Sequence, residues 1–279
     1  MRIAILTDSS WGGNPHDYRD LYVVPLMMTD ENGQEILDNK LSKNEFYKLL
    51  DEQKLKTALT PPGIMLAMWD KLLIDYDQVI FAGISKGLSS QFNTYRVVSE
   101  TEDKYKGKVF VVDTNGVSVV LEHEIEKIVL WTAKNKNGFE VMELMAKENQ
   151  DFCAFIIPKS LETLKRGGRI TPTAAAMAKV LKIVPILRYD GTIDKEGTAR
   201  TFKRAINEAL SLIRKNCKNV THIDLAYSES PEVVINLVRD LIAKEGFKIN
   251  LYRHLPYVIA AHTGRETFAL VAWKNKGDK

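Results

Sequence analysis

The sequence has no long hydrophobic run. No stretch approaches the roughly 18 consecutive apolar residues that a spanning helix needs, so stable membrane insertion is not expected. It has only two cysteines among 279 residues, Cys153 and Cys217. Each sits in an apolar or helical context, which argues against a disulfide framework and predicts two free thiols in a reducing cytosol. It has no excess of one charge: 39 basic residues face 36 acidic ones, a formal +3. That balance speaks against nucleic acid as a partner. The opening Met1-Arg2-Ile3-Ala4-Ile5-Leu6-Thr7-Asp8 carries one basic residue and a short apolar run before it turns polar. It reads as a strand rather than a signal peptide or an anchor, and a cytoplasmic location is expected. Internal repeats and low-complexity tracts are absent.

What is present is the make-up of a globular protein, 45% hydrophobic and 27% charged. The length suits two domains better than one core. Buried strands are predicted at Ile3–Leu6, Gln78–Phe81 and Lys108–Asp113, and a further β-type run at Tyr22–Met28. Helices alternate with them: one opened by the capping box Ser42-Lys43-Asn44-Glu45, one carrying Ile64, Met65, Met68, Leu72 and Leu73, and a long one from Val117 to about Lys136. Strands alternating with helices imply a mostly parallel sheet, so residues 1–150 are expected to form an amino-terminal α/β domain. Residues 151–279 read as a second domain, richer in strands, some necessarily antiparallel, hence a mixed α+β sheet. Pro185 within Lys182–Arg188 points to an edge or bent strand, and Tyr189-Asp190-Gly191-Thr192 to a hairpin turn.

Several strands end in hydroxyl-rich loops. The stretch Phe81–Asn93 runs from a buried strand through Ser85, Gly87, Ser89 and Ser90 into a helix marked by Leu88, Phe92, Tyr95 and Val98. Free N–H groups and the helix dipole favour an anion at such a point, and ligands gather at strand ends of open sheets. A serine N-cap alone accounts for the same spacing. Thr57 and Thr60 lie on a proline-fixed loop, Lys56–Gly63, ahead of another helix. Asp8 suits an ion or, more simply, a cap of the next segment or an acceptor for backbone amides.

Taken together, Thr7-Asp8-Ser9, Ile84-Ser85-Lys86-Gly87-Leu88-Ser89-Ser90, Val112-Asp113-Thr114, Leu164-Lys165-Arg166-Gly167-Gly168-Arg169-Ile170 with Pro185-Ile186-Leu187, and Ala261-His262-Thr263-Gly264 resemble the DegV family. Asp190-Gly191-Thr192 and Ala199-Arg200-Thr201 fall where that family has its Asp-Gly and Arg-Thr elements. The resemblance runs in order from about residue 3 to about residue 273. It implies two α/β domains with a fatty acid buried between them, and a carrier rather than an enzyme. Such a carrier presents the acyl carboxylate to a fatty-acid kinase, a step toward phospholipid synthesis. Carried over by motif, the carboxylate partners are Thr57, Ser89 and His262, with Thr60, Ser85 and Ser90 assisting and Arg166 or Arg169 at the mouth. The chain departs from the family at Ala58, which lacks the hydroxyl the family commonly has there, so Thr57 alone or Thr60 must serve.

The physics of a buried acid agrees. About fifteen methylenes leaving water release at most about 12 kcal/mol at ~0.8 each. A bare carboxylate in the same pocket must be hydrogen-bonded or paired. Hydroxyls, a helix amino end and an imidazole, charged or neutral, supply that with neither a metal nor a cofactor. Candidate tunnel walls are Met65, Met68, Ala174, Met177, Val180, Ile183 and Ile186, which also read as ordinary core. Lys165, Arg166, Arg169, Lys179 and Lys182 form a basic cluster, either a solvated face or a docking patch for the kinase. Two other classes stay in view. A serine-dependent acyl hydrolase would use Ser89 or Ser85 with His262, though the chain has no Gly-x-Ser-x-Gly elbow. A phosphate-binding module would use Gly167-Gly168, though neither glycine-rich nucleotide fingerprint is present.

Overall fold

The computed structural model describes residues 1–147, 152–177 and 183–274. The chain separates into two compact units, Met1–Asn149 with Pro256–Val258, and Gln150–Leu255 with Ile259–Lys279.

In the first unit the elements are β1 (Ile3–Asp8), β2 (Leu21–Val24), β3 (Met27–Thr29), β4 (Glu35–Leu37), α1 (Lys43–Glu52), β5 (Lys56–Ala58), α2 (Pro62–Asp75), β6 (Gln78–Ala82), α3 (Gln91–Thr101), β7 (Val109–Val112), α4 (Val119–Ala133) and α5 (Gly138–Lys147). Four strands make a wholly parallel sheet in the order β2-β1-β6-β7. Strand periodicity sends alternate residues to opposite faces. Ala4, Leu6, Val79, Phe81, Val109 and Val111 pack on Met65 and Trp69 of α2 and Tyr95 of α3. Ile5, Ile80, Ala82 and Val112 pack on Leu121 and Ile125 of α4 and Val141 and Met145 of α5. Both faces are thus covered, as a parallel sheet requires.

The run Tyr22–Met28 is not one strand. Pro25 splits it, and β3 leaves for a small antiparallel sheet of order β4-β3-β5. That sheet corrects the loop expected around Thr57: Lys56–Ala58 is strand, with Thr57 opposite Met28. The Ser42 capping box forms as expected, Ser42 accepting from the Glu45 N–H and Glu45 from the Ser42 N–H. A groove of about 990 Å³ runs along this unit past Ile3, Tyr18, Asp20, Tyr22, Tyr76 and Thr132. No candidate ligand residue lines it.

In the second unit the elements are β8 (Phe152–Ile157), α6 (Glu162–Gly167), α7 (Pro172–Ala176), β9 (Val184–Tyr189), β10 (Ile193–Ala199), α8 (Phe202–Asn216), β11 (His222–Tyr227), α9 (Glu232–Lys244), β12 (Lys248–His254), α10 (Tyr257–Thr263, its first two residues grouped with the first unit) and β13 (Phe268–Trp273). The six-stranded sheet has the order β10-β9-β8-β13-β11-β12. Only β11 and β12 run parallel within it. Ala205, Ile206, Ala209, Leu210 and Ile213 of α8, with Val238 and Ile242 of α9, close one core over Phe155, Ile186, Leu225 and Phe268.

Two expectations are corrected here. Strand β9 is internal despite Pro185, because β8 pairs only with Leu187–Tyr189 and Pro185 faces β10 alone beyond that ladder. Cys153 and Cys217 are not free thiols. They form a disulfide, because β8 and the end of α8 share one core, a neighbourhood that two cysteines 64 residues apart do not reveal in sequence.

Candidate functional site

Ser85, Ser89 and Ser90 lie in the turn between β6 and α3, which backbone bonds hold tightly. The Ser85 N–H donates to the Gly116 carbonyl at 2.8 Å, and Ser85 O receives Leu88 N–H and Ser89 N–H at 3.0 and 3.1 Å. Thr114 Oγ1 donates to Gly83 O at 2.8 Å, and Lys86 pairs with Asp113 at 2.6 Å, so the ends of β6 and β7 brace each other. Ser85 is fully buried, and its hydroxyl accepts from Gly87 N–H at 3.1 Å. Ser90 takes the N-cap position of α3 but makes no side-chain cap bond. Ser89, half-buried, accepts the Gln91 N–H at 3.2 Å instead. A hydroxyl that accepts keeps its own hydrogen to donate.

Thr60 is fully buried beside this turn. Its N–H donates to Gln91 Oε1 at 2.7 Å, and its carbonyl receives the Tyr95 hydroxyl. Gln91 therefore ties Thr60 and Ser89 to one point. The Thr60 hydroxyl has no hydrogen-bond partner among the described residues. Leaving such a group buried without a partner costs about 1–3 kcal/mol, so the Thr60 hydroxyl is a donor that a bound acceptor could use.

In the second unit, His262 lies on α10 and is 9% exposed. Its ring packs directly on Gly167: a Cβ there would stand 3.0 Å from His262 Cε1 and closer still to Nδ1. The absence of a Cβ at Gly167 thus lets the imidazole approach this closely. Arg169 folds back to donate to the Gly167 carbonyl at 2.5 Å. Burial first, then the neighbouring Arg169 and Arg166 guanidinium groups, lower the His262 pKa to about 4. The ring is therefore neutral near pH 7 and offers one N–H and one lone pair. Thr263, which the sequence reading passed over, is buried with a hydroxyl lacking a partner among the described residues. Its only sequence signal is its place in Ala261-His262-Thr263-Gly264.

The wall candidates fall into three groups. Met65 belongs to the first-unit core with Trp69, Met68 packs on its edge, and Ile186 belongs to the second-unit core. Ala174 and Met177 are buried and Ile183 is half-buried at the entry to β9. Val180 lies outside the described residues, as do Lys179, Lys182 and the expected domain boundary at residues 150 and 151. Among the described residues no helix is long and apolar enough to cross a membrane, and no cluster of three or more His, Cys, Asp or Glu is placed to hold a metal ion.

Residues 2–275 match the family model described as uncharacterised proteins of the DegV family. The chain belongs to the DegV family. A DegV domain-containing protein of Mycoplasmopsis pulmonis is 29% identical over 97% of this chain and 94% of its own length. A DegV family protein from Thermus thermophilus, described by its fatty-acid binding, superposes with a TM-score of 0.82 at 25% identity, covering 98% of this chain and all of that one. A fatty-acid-binding DegV family protein from Streptococcus agalactiae gives 0.84 at 18% identity over 99% and 100% of the two chains. At that identity it establishes the fold alone. These DegV folds carry the expected class, a parallel sheet flanked by helices and a mixed sheet.

Proposed function

We propose that this chain is a carrier that binds a long-chain fatty acid in a buried tunnel and presents its carboxylate to a fatty-acid kinase for acyl-phosphate formation. The head-group partners are the hydroxyls of Thr57, Thr60 and Ser89, with Ser85 and Ser90 nearby in sequence, and the imidazole of His262. Among the wall candidates, Met65 and Ile186 belong to the apolar cores already described, while Ala174 and Met177 are buried and Ile183 is half-buried. The observation that carries the reading is the clustering of hydroxyls at one point, the buried Thr60 and the half-buried Ser89 being tied together through Gln91. The fatty-acid binding described for the Thermus relative supplies the ligand class. Apolar burial of the tail drives association, while the donors offset the desolvation of the head. Arg166, exposed, and Arg169, half-buried, are the proposed contact for the kinase.

The hydrolase reading is the weaker one for a physical reason. A general base works best with a pKa near the operating pH, and an imidazole lowered to about 4 takes a serine proton poorly. The test is thermal unfolding with added palmitate or ATP. Palmitate at about a hundred times its dissociation constant adds ~2.7 kcal/mol, a rise of a few degrees, and ATP adds nothing. Ser89→Ala and His262→Ala each weaken palmitate about 10- to 100-fold, the equivalent of one hydrogen bond to a charged group. No rise with palmitate, or two variants that bind like the parent, rejects the assignment.

A further inference from the structure

Four donors converge on the carboxyl of Asp8, which has no exposed surface. Oδ1 accepts the Ser10 N–H at 3.0 Å and the Ser10 hydroxyl at 2.5 Å. Oδ2 accepts the Ile84 N–H at 2.8 Å and the Gln91 side-chain amide at 2.6 Å. Gly83 makes room for it: a Cβ there would lie 3.2 Å from Asp8 Cγ and closer still to Oδ2. A cap serves its own neighbours, but Ile84 and Gln91 are 76 and 83 residues away. Gln91 is equally buried, and its orientation is fixed at both ends. The Thr60 N–H needs the amide oxygen at 2.7 Å, so the amide N–H group must face an acceptor, and Asp8 Oδ2 is that acceptor. The backbone N–H of the same Gln91 reaches Ser89 Oγ.

We propose that Asp8 is a positioning residue of the head-group cradle: through Ile84 and the Gln91 side chain it locks the Ser89 turn and the Thr60 loop to the end of β1, and thereby sets the affinity for a carboxylate ligand. This rests on the reading of the chain as a fatty-acid binder. The order of polarity, N–H to oxygen to N–H to carboxylate, makes the device testable by changing one atom. Gln91→Glu keeps the acceptor for Thr60 but sets a second carboxylate against Asp8, and two carboxylates that close must share a proton. Asp8→Asn in the Gln91→Glu background leaves a single carboxylate and restores a donor toward residue 91. The other titratable groups bordering the chain of bonds are Asp38, which reaches Ser9 and feels the Asp8 charge, and Tyr95, whose hydroxyl donates to the Thr60 carbonyl. Comparing each variant with the parent at the same pH removes the contribution of the ligand, and repeating the series in an Asp38→Asn background removes that of Asp38, whose titration shifts with the Asp8 charge.

The experiment measures palmitate affinity from pH 5 to pH 8 for the parent, Gln91→Glu and the Asp8→Asn/Gln91→Glu pair, with amide hydrogen exchange of Thr60 and Ile84 in the ligand-free chains. Gln91→Glu is expected to bind within about threefold of the parent at pH 5 and at least tenfold more weakly at pH 8, with faster Thr60 exchange at the higher pH. The double variant is expected to lose that pH dependence. A ratio to the parent that is flat with pH in Gln91→Glu, with unchanged exchange, overturns the role of Asp8 while leaving the ligand assignment intact. A parent that does not bind palmitate rejects the ligand assignment instead, and the exchange rates alone then decide whether Asp8 orders these loops.

Discussion

Gly167→Ala is the sharpest perturbation of the histidine side of the site. The new methyl would stand 3.0 Å from His262 Cε1 and nearer to Nδ1, where ordinary contact begins at 3.4 Å. Something must move by on the order of 1 Å, and overpacking of that kind costs about 1–3 kcal/mol. Gly167 closes the last turn of α6, and alanine there recovers up to ~1 kcal/mol of helix propensity. The net loss of stability is therefore modest, ~0–2 kcal/mol, and stability is the wrong readout. The imidazole pKa is the right one. Burial is the first cause of its fall to about 4, so a ring pushed outward titrates closer to the ordinary value of 6.5. Proton NMR titration resolves this, the His262 signal being assigned among the five histidines by its absence in His262→Ala. Gly168→Ala is the control. Its φ of +65° disfavours a side chain, but nothing lies within 4 Å of the added Cβ. It loses about 1 kcal/mol and leaves the His262 pKa where it was. A parent His262 that titrates at the ordinary value, or one indifferent to Gly167→Ala, refutes the packing argument.

Thr60→Val removes a buried hydroxyl that has no partner among the described residues, so thermal stability should hold or rise by up to ~1 kcal/mol while palmitate affinity falls. A loss of stability with unchanged affinity would make Thr60 structural. Two buried groups bias the pH dependence of folding in opposite senses. His262, with its pKa lowered to about 4, binds fewer protons folded than unfolded, so its contribution improves as pH rises from about 4 to 6.5. Burial raises the Asp38 carboxyl from 3.8 to about 6, so its contribution worsens as pH rises through that window. Denaturant midpoints from pH 4 to 7 should therefore rise more steeply with pH in Asp38→Asn and less steeply in His262→Ala. Identical slopes in all three chains would contradict both shifts. The Cys153–Cys217 bond closes a loop of 64 residues, worth ~4 kcal/mol in the chain-entropy account. Alkylation under denaturing conditions should label neither cysteine before reduction and both after it, and reduction should lower the unfolding midpoint.

Local physics was readable from the chain; long-range partnership was not. The short continuous apolar runs of β1, β6 and β7 gave away buried strands of a parallel sheet, which the structure covers on both faces. The Ser42–Glu45 box and the Asp190-Gly191 hairpin formed because their bonds lie within a few residues. Helix α5 went unseen because the apolar pattern of α4 runs almost up to it, with only Asn135, Asn137 and Gly138 as punctuation. Thr57 became strand because β3 was free to pair with it once Pro25 had turned the chain out of the parallel sheet. At the site, the hydroxyl turn around Ser85 and Ser89 was legible as composition. The role of Asp8 was not, since its deciding partner Gln91 is 83 residues away and is itself oriented by Thr60. The lowered pKa of His262 likewise depends on burial against Gly167 and on the charges of Arg169 and Arg166.

The central claim is that this chain holds a fatty acid, and the most direct measurement is the mass of what it carries. Protein purified in the absence of detergent and examined by native and then denaturing mass spectrometry should show, in the native spectrum, a chain heavier by one long-chain fatty acid. That acid should be released on unfolding and depleted in His262→Ala and Ser89→Ala. A native mass equal to that of the bare chain, unchanged after incubation with palmitate, contradicts the account.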